Sequence, residues 1–148
     1  MSDNPIYHAR LTTWQRDAAR LTPLRTQVFV IEQGVPAEIE IDALDPMCVH
    51  AIAEDAVGKV IGTGRLLPAE NGCARIGRMA VAAAWRNRGV GAVLLDCLLN
   101  AARQRGDRAI LLHAQISAER FYLRHGFARE GAVFEEAGIA HVTMRRVL

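Results

Sequence analysis

Residues 85–106, WRNRGVGAVLLDCLLNAARQRG, restrict the fold more than any other stretch of this 148-residue chain. Two glycines, two apart, stand among arginines, and an apolar-faced segment follows. Val90, Leu94, Cys97, Leu98 and Ala101 form one stripe at three-four spacing, which predicts a helix that Gly106 ends. A helix begins with unpaired N–H groups and a partial positive charge. Glycines ahead of it let the backbone close around an anion, and arginines at the rim add charge-assisted contacts. Arg86, Asn87, Arg88, Gly89, Val90, Gly91 and Ala92 therefore have the chemistry of a phosphate cradle. Neither common nucleotide pattern fits. A P-loop needs Lys and Ser/Thr after the second glycine, where Ala92 and Val93 stand. The dinucleotide pattern needs a third glycine, where Leu94 stands.

The flanking sequence alternates strands with helices. IYHARL (6–11) reads as a strand, and Ala18, Leu21, Leu24, Val28 and Ile31 give three-four spacing over Trp14 to Ile31. Pro23 is expected at a first helical turn, dividing that region into two helices. Residues 32–46 read as a long turn-rich loop. Strands are predicted over 48–54, 59–68 and 73–81, with a turn at 55–58. RAILLHAQ (108–115) is continuously apolar enough for the centre of a sheet. SAERFYLRHG (117–126) reads as a short helix with Ser117 as its N-cap and Gly126 as its stop. Two closing strands over 127–148 turn at EEAG. The class is α+β (mixed α/β) in a single domain, 1–148.

Composition removes several function classes. A 51% apolar and 23% charged chain has the material for a packed core, not for disorder. The net charge of +2 makes no case for nucleic acid. MSDNPIYHAR has no apolar leader and no run is long enough to span a membrane, so a cytoplasmic protein is expected. Cys48, Cys73 and Cys97 lack ligand or disulfide spacing and read as small core residues. The five histidines show no paired spacing, and no metal is expected.

Arg86-x-x-Gly89-x-Gly91 is similar to the pyrophosphate-binding motif of the GCN5-related N-acetyltransferases, the GNAT superfamily. An apolar strand stands before the motif, as in that family. QISAERFYLRHGF (115–127) resembles a second family stretch, with Ala118, Tyr122, Gly126 and Phe127 in place and Gln115 where Asn is usual. The likeness is well carried over roughly 60–130. VFVIEQGVP (28–36), EIEIDALD (38–45), His50 and GIAHVTM (138–144) further resemble the ElaA-like bacterial group. The first of these, with GTGRLLP (62–68), is also similar to acyl-homoserine-lactone synthases, which share the fold. The resemblance implies a twisted central sheet of about six to seven strands flanked by about four helices.

It also implies a reaction: direct transfer of acetyl from acetyl-CoA to a primary amine. Met79 takes the family position whose N–H faces the thioester carbonyl, with Ala80 and Val81 beside it. The cradle residues and Gln115 complete the expected CoA contacts. Tyr122 falls where the family places the general acid for the departing thiolate, a role a phenol suits. Arg75 stands where some relatives carry a glutamate base, and cannot accept a proton. Glu32, His50 and His141 are the candidate bases, the first two because they flank the acidic segment and the last because it lies in the closing strand; His50 has the best intrinsic proton affinity for the task. Residues 32–55 hold seven carboxylates and no Arg, and residues 75–108 seven arginines. That asymmetry predicts CoA at the basic side and a small, cationic amine at the acidic side. The protein is expected as a monomer or homodimer without nucleic-acid or membrane partners. The alternatives are a lactone-synthase-like acyltransferase and a non-catalytic acyl-CoA-binding module.

Overall fold

The computed structural model describes residues 6–148. The first five residues, part of the stretch read as carrying no leader, lie outside them. A seven-stranded sheet runs in the order β1-β2-β3-β4-β5-β7-β6, with β1 Tyr7–Thr13, β2 Val49–Asp55, β3 Val60–Leu66, β4 Cys73–Val81, β5 Ala109–Gln115, β6 Ala128–Glu136 and β7 Ile139–Val147. Four α-helices accompany it: α1 Trp14–Arg25, α2 Ala37–Glu40, α3 Val90–Arg105 and α4 Glu119–Arg124. None of them is long and apolar enough to cross a membrane.

Five strand pairs are antiparallel, and β4 with β5 is the parallel one. A parallel pair needs a crossover, and α3 supplies it. The core lies between this helix and the sheet, with Val90, Leu94, Leu95, Leu98, Leu99 and Ala102 buried. The buried face thus takes in Leu95, Leu99 and Ala102, whereas Cys97 and Ala101 of the expected stripe are only partly covered. Contact with four neighbouring strands, β1 to β4, broadens the stripe of α3 beyond a single three-four row. Of the cysteines, only Cys48 is buried.

Three local expectations are corrected. Pro23 lies inside α1 and does not divide it. The chain instead widens after α1 into a π-helical turn over Thr26–Glu32. Ser117 is not an N-cap: it sits within a 3-10 turn, Ile116–Ala118, and α4 follows without a side-chain cap. The 32–46 loop contains α2 and the start of a 3-10 turn, Asp45–Met47. Thr13 Oγ1 accepts the Arg16 N–H at 3.2 Å to start α1. The closing hairpin turns at Ala137 and Gly138, both at positive φ.

Candidate active site

The β4–β5 ladder covers only Cys73–Arg75 against Ala109–Leu111. Beyond it β4 stays with β3 and β5 stays with β7, so the strands part. A cavity of about 750 Å³ lies in the opening, walled by β4 from Arg75 to Val81 and β5 from Leu112 to Gln115. Phe29, Glu32 and Gln33 of the π-turn and Tyr122 of α4 also line it. Within β4 the register against β3 slips, so that Arg78 and Met79 face the single residue Gly64. Arg78 takes φ 52° there. Such a bulge re-aims backbone groups, and the β4 edge past Arg75 has no strand opposite it on the β5 side. Met79, Ala80 and Val81 line the cavity, on a strand edge where an extended ligand can reach backbone groups that neither β3 nor Arg86 holds.

The glycine-arginine stretch stands at the mouth of α3. Asn87 has φ 62° and Gly89, the N-cap, φ 84°, a left-handed conformation that glycine alone takes without strain. No side chain caps the first N–H groups of α3. Gly91 has a different reason to be small. A Cβ on it would meet the Phe121 ring at 3.5 Å, an ordinary contact, so the protein's own packing does not exclude a methyl. Arg86 folds toward the cavity, Nε donating to Val81 O at 2.9 Å and Nη2 to Glu32 Oε1 at 2.7 Å. Arg88 lies over the Trp85 ring at 5.8 Å. Gln115 Nε2 donates to Gln33 Oε1 at 2.9 Å, joining β5 to the π-turn.

Of the four side chains read as acid or base, three line this cavity and one does not. Tyr122 is 8% exposed, its ring edge-on to Phe121 at 5.0 Å and to Phe127 at 5.7 Å. Burial pushes its hydroxyl up to about 12. Glu32 accepts the Arg86 contact just described. His141 Nδ1 lies 2.7 Å from Ile139 O. A carbonyl only accepts, so the proton is on Nδ1 and Nε2 keeps its lone pair. That Nε2 is 3.7 Å from Glu136 Oε2. His50 is the exception. It is 1% exposed, its Nε2 is 2.9 Å from Asp45 O, and its ring lies against Trp14. Burial depresses its imidazole below the ordinary range, which keeps it neutral inside the fold and away from the cavity.

The acidic segment borders the cavity, but most of its carboxylates are engaged within the protein; exposed Glu38 has no ion-pair partner among the described residues. Arg25, 0% exposed, donates to Glu40 Oε1 at 2.6 Å and to Asp45 Oδ1 at 2.8 Å. Arg65 Nη1 donates to Asp42 and Asp45, each at 2.8 Å. Arg78 Nε donates to Glu40 O at 3.0 Å. Glu54 is held by Arg10 and Arg20 on the far side of the sheet order. Three cations and three carboxylates (Glu40, Asp42, Asp45) close a neutral network, so the free acidic rim expected to select a cation is not formed. The network instead ties α2 and its loop to α1, β3 and β4. Arg65 holds the Asp42 carboxyl down at about 2. Burial alone would raise Asp45, but the hydrogen bonds and charge of Arg25 keep it below the usual carboxylate range. Because Asp42 is depressed from 3.8, its contribution is complete above about pH 4 and declines as pH falls toward 2. Arg25→Leu leaves two buried carboxylates short of a partner. It is expected to cost about 3 kcal/mol in denaturant unfolding near neutral pH, and less below pH 4.

Sequence reading passed over His113 and Glu136 and set Arg75 aside. All three line the cavity. His113 Nδ1 stands 3.1 Å from Glu136 Oε1 and 3.3 Å from Arg75 Nη2. The available signal was period two: His113 and Gln115 share one face of β5, opposite the core face of Ile110, Leu112 and Ala114.

A parted parallel strand pair and a bulged strand edge wall one cavity, Arg86 from the stretch ahead of α3 lines it, and comparison with known proteins agrees with this geometry. The acetyltransferase (GNAT) domain model matches residues 18–148. The chain belongs to the GNAT acetyltransferase family. As a GNAT protein it is an acyltransferase. It is 36% identical over 124 residues to an uncharacterized N-acetyltransferase of Bacillus subtilis, YjcF, spanning 83% of this chain and 87% of that one. It resembles the crystal structure of an acyl-CoA N-acyltransferase from Pseudomonas aeruginosa with TM-score 0.84 and 32% identity, covering 95% and 99% of the two chains. It resembles Escherichia coli ElaA with TM-score 0.85 and 27% identity, covering 95% and 99%. The seven-stranded sheet with four helices is the GNAT fold.

Proposed function

We propose that this GNAT protein transfers an acetyl group from acetyl-CoA to a small primary amine by direct attack, with Tyr122 as general acid and His141 as general base. The observation that carries this reading is the joint placement of Tyr122 and the lone-pair Nε2 of His141 on the cavity between the parted strands. The residues fit the donor. Glycines stand at the N-cap and second position of α3, no side chain caps its first N–H groups, and Arg86 and Arg88 precede it. Arg86, Asn87, Arg88, Gly89, Val90, Gly91 and Ala92 would hold the pyrophosphate. Met79, Ala80 and Val81 would pair with the pantetheine arm, and Gln115 would border it. When bound, the donor supplies an activated acyl group.

Each residue then has one task. The Met79 N–H faces the developing negative charge on the acyl oxygen, the largest lever such sites have. His141 Nε2 takes the proton of the attacking amine, and Glu136 beside it stabilises the resulting imidazolium. Tyr122 keeps its proton across the working range, because burial raises it to about 12, and donates it to the departing sulfur. Glu32 serves Arg86 in this scheme and His50 serves the fold.

Two measurements test this reading. Gly91→Val is expected to weaken acetyl-CoA binding at least about tenfold, roughly 1.4 kcal/mol, by blocking backbone approach. Calorimetry reads it, with Gly91→Ala as a milder, folded reference, and equal affinity in all three proteins contradicts the cradle. An amine panel with acetyl-CoA, read by free thiol, is expected to show amine-dependent release. Release only with acyl carrier protein and S-adenosylmethionine would indicate the lactone-synthase alternative.

A further inference from the structure

Four arginines line the cavity: Arg65, Arg75, Arg78 and Arg86. Three have carboxylate partners. Arg65 bonds Asp42 and Asp45, Arg78 reaches Asp42 at 3.4 Å, and Arg86 bonds Glu32. Arg75 has no carboxylate partner among the described residues, and its only side-chain hydrogen-bond neighbour is His113 Nδ1. That neighbour cannot satisfy it. The same nitrogen lies 3.1 Å from Glu136 Oε1, and one ring nitrogen cannot donate to a carboxylate and accept from a guanidinium at once. Of the two contacts the one to Glu136 is the shorter, 3.1 against 3.3 Å, and it pairs a donor with a full negative charge. It holds the proton on Nδ1, facing Arg75 with a donor. Arg75 is an exposed residue of the cavity lining, and no protein oxygen accepts from its guanidinium fork among the described residues.

We propose that Arg75 anchors a carboxylate carried by the acceptor, so that the substrate is a primary amine with a carboxylate several bonds from its nitrogen. This rests on the N-acetyltransferase reading above and names the substrate class for the same cavity. A planar fork matches a carboxylate in bidentate geometry. The groups facing it are His113, Glu136 and, beyond Glu136, His141. Because Glu136 lies close by, a carboxylate is held only where it meets the guanidinium fork directly, and a second negative charge is opposed. The spacing follows from the sheet. Arg75 pairs with Leu111 and His141 with Gln115. Arg75 and His141 are thus two strands apart and displaced by four residues along β5, about 13 Å. Glu136 bridges part of that gap, with Oε1 to His113 and Oε2 to His141. An amine at His141 with its carboxylate at Arg75 must span more than the one carbon of an α-amino acid. An ω-amino acid has the required form.

The test compares wild type with Arg75→Gln and Arg75→Glu on matched acceptors: γ-aminobutyrate and δ-aminovalerate, the neutral butylamine and pentylamine, and the diamines putrescine and cadaverine. In wild type, kcat/KM for the amino acids should exceed that for the neutral amines about tenfold or more, with the diamines last. Arg75→Gln should bring the ratio near unity, and Arg75→Glu should reverse it toward the diamines. Calorimetry of δ-aminovalerate binding, which needs no turnover, should lose about tenfold in affinity in Arg75→Gln. Turnover that favours neutral or cationic amines, with a ratio unmoved by Arg75→Gln, overturns the subsite and leaves the transferase reading intact. Arg75-dependent binding of δ-aminovalerate without turnover of any amine supports the subsite and overturns the transferase reading. Absence of both Arg75-dependent binding and turnover overturns the two together.

Discussion

Tyr122→Phe is expected to lower the single-turnover rate of acetyl transfer about a hundredfold while leaving acetyl-CoA affinity unchanged. The substitution removes one oxygen. The ring keeps its edge-on packing with Phe121 and Phe127, and no hydrogen bond to another residue is lost among the described residues. A fold defect therefore cannot imitate the effect. Because the hydroxyl is raised to about 12, it stays protonated through any practical assay. The wild-type rate should show no loss at high pH from this group below about pH 10. Single-turnover kinetics isolates the chemical step from product release. A rate equal to wild type would return Tyr122 to the role of a core aromatic.

His141→Gln is expected to cost about a hundredfold or more in the same step and to abolish the low-pH limb of the rate profile. Its tautomer is held by Ile139 O and not by Glu136. Glu136→Gln should thus cost less, about tenfold, since it removes only the stabilisation of the imidazolium. His50→Gln provides the contrast. It disturbs the contact with Asp45 O under the ion network and should lower stability in denaturant while sparing the rate per folded molecule. If His141→Gln retains the parent rate and its low-pH limb, the base is another group or water.

The parts of this site visible in sequence are those built from neighbouring residues. The glycine-arginine stretch and α3 follow from helix periodicity and from the backbone freedom of Gly89, both local properties. The ion network could not be read the same way. The carboxylates of 38–45 are adjacent in sequence, but their partners Arg25, Arg65 and Arg78 come from α1, β3 and β4. Counted along the chain they look like an acidic rim, and only the fold shows them neutralised. The Arg75–His113–Glu136–His141 group needs the β4-β5-β7-β6 order to assemble, and that order reverses sequence at β7 and β6. The α3 stripe was misread by one residue for a similar reason, since Leu95 and Leu99 are buried by sheet packing that no single helical row encodes. Pro23 reads most simply as a helix start, and neither its place inside α1 nor the π-turn that follows α1 has a signature of its own in composition.

The most direct test of the central claim is the stoichiometry of products with the best amine of the panel. Free CoA thiol and N-acetylated amine are quantified together, and the protein is weighed by intact mass spectrometry during turnover. Direct transfer predicts one amide for each thiol released, no release without amine, and no acetyl group on the protein. Thiol release without amide, an acetylated protein intermediate, or tight acetyl-CoA binding with no amide from any amine would contradict it.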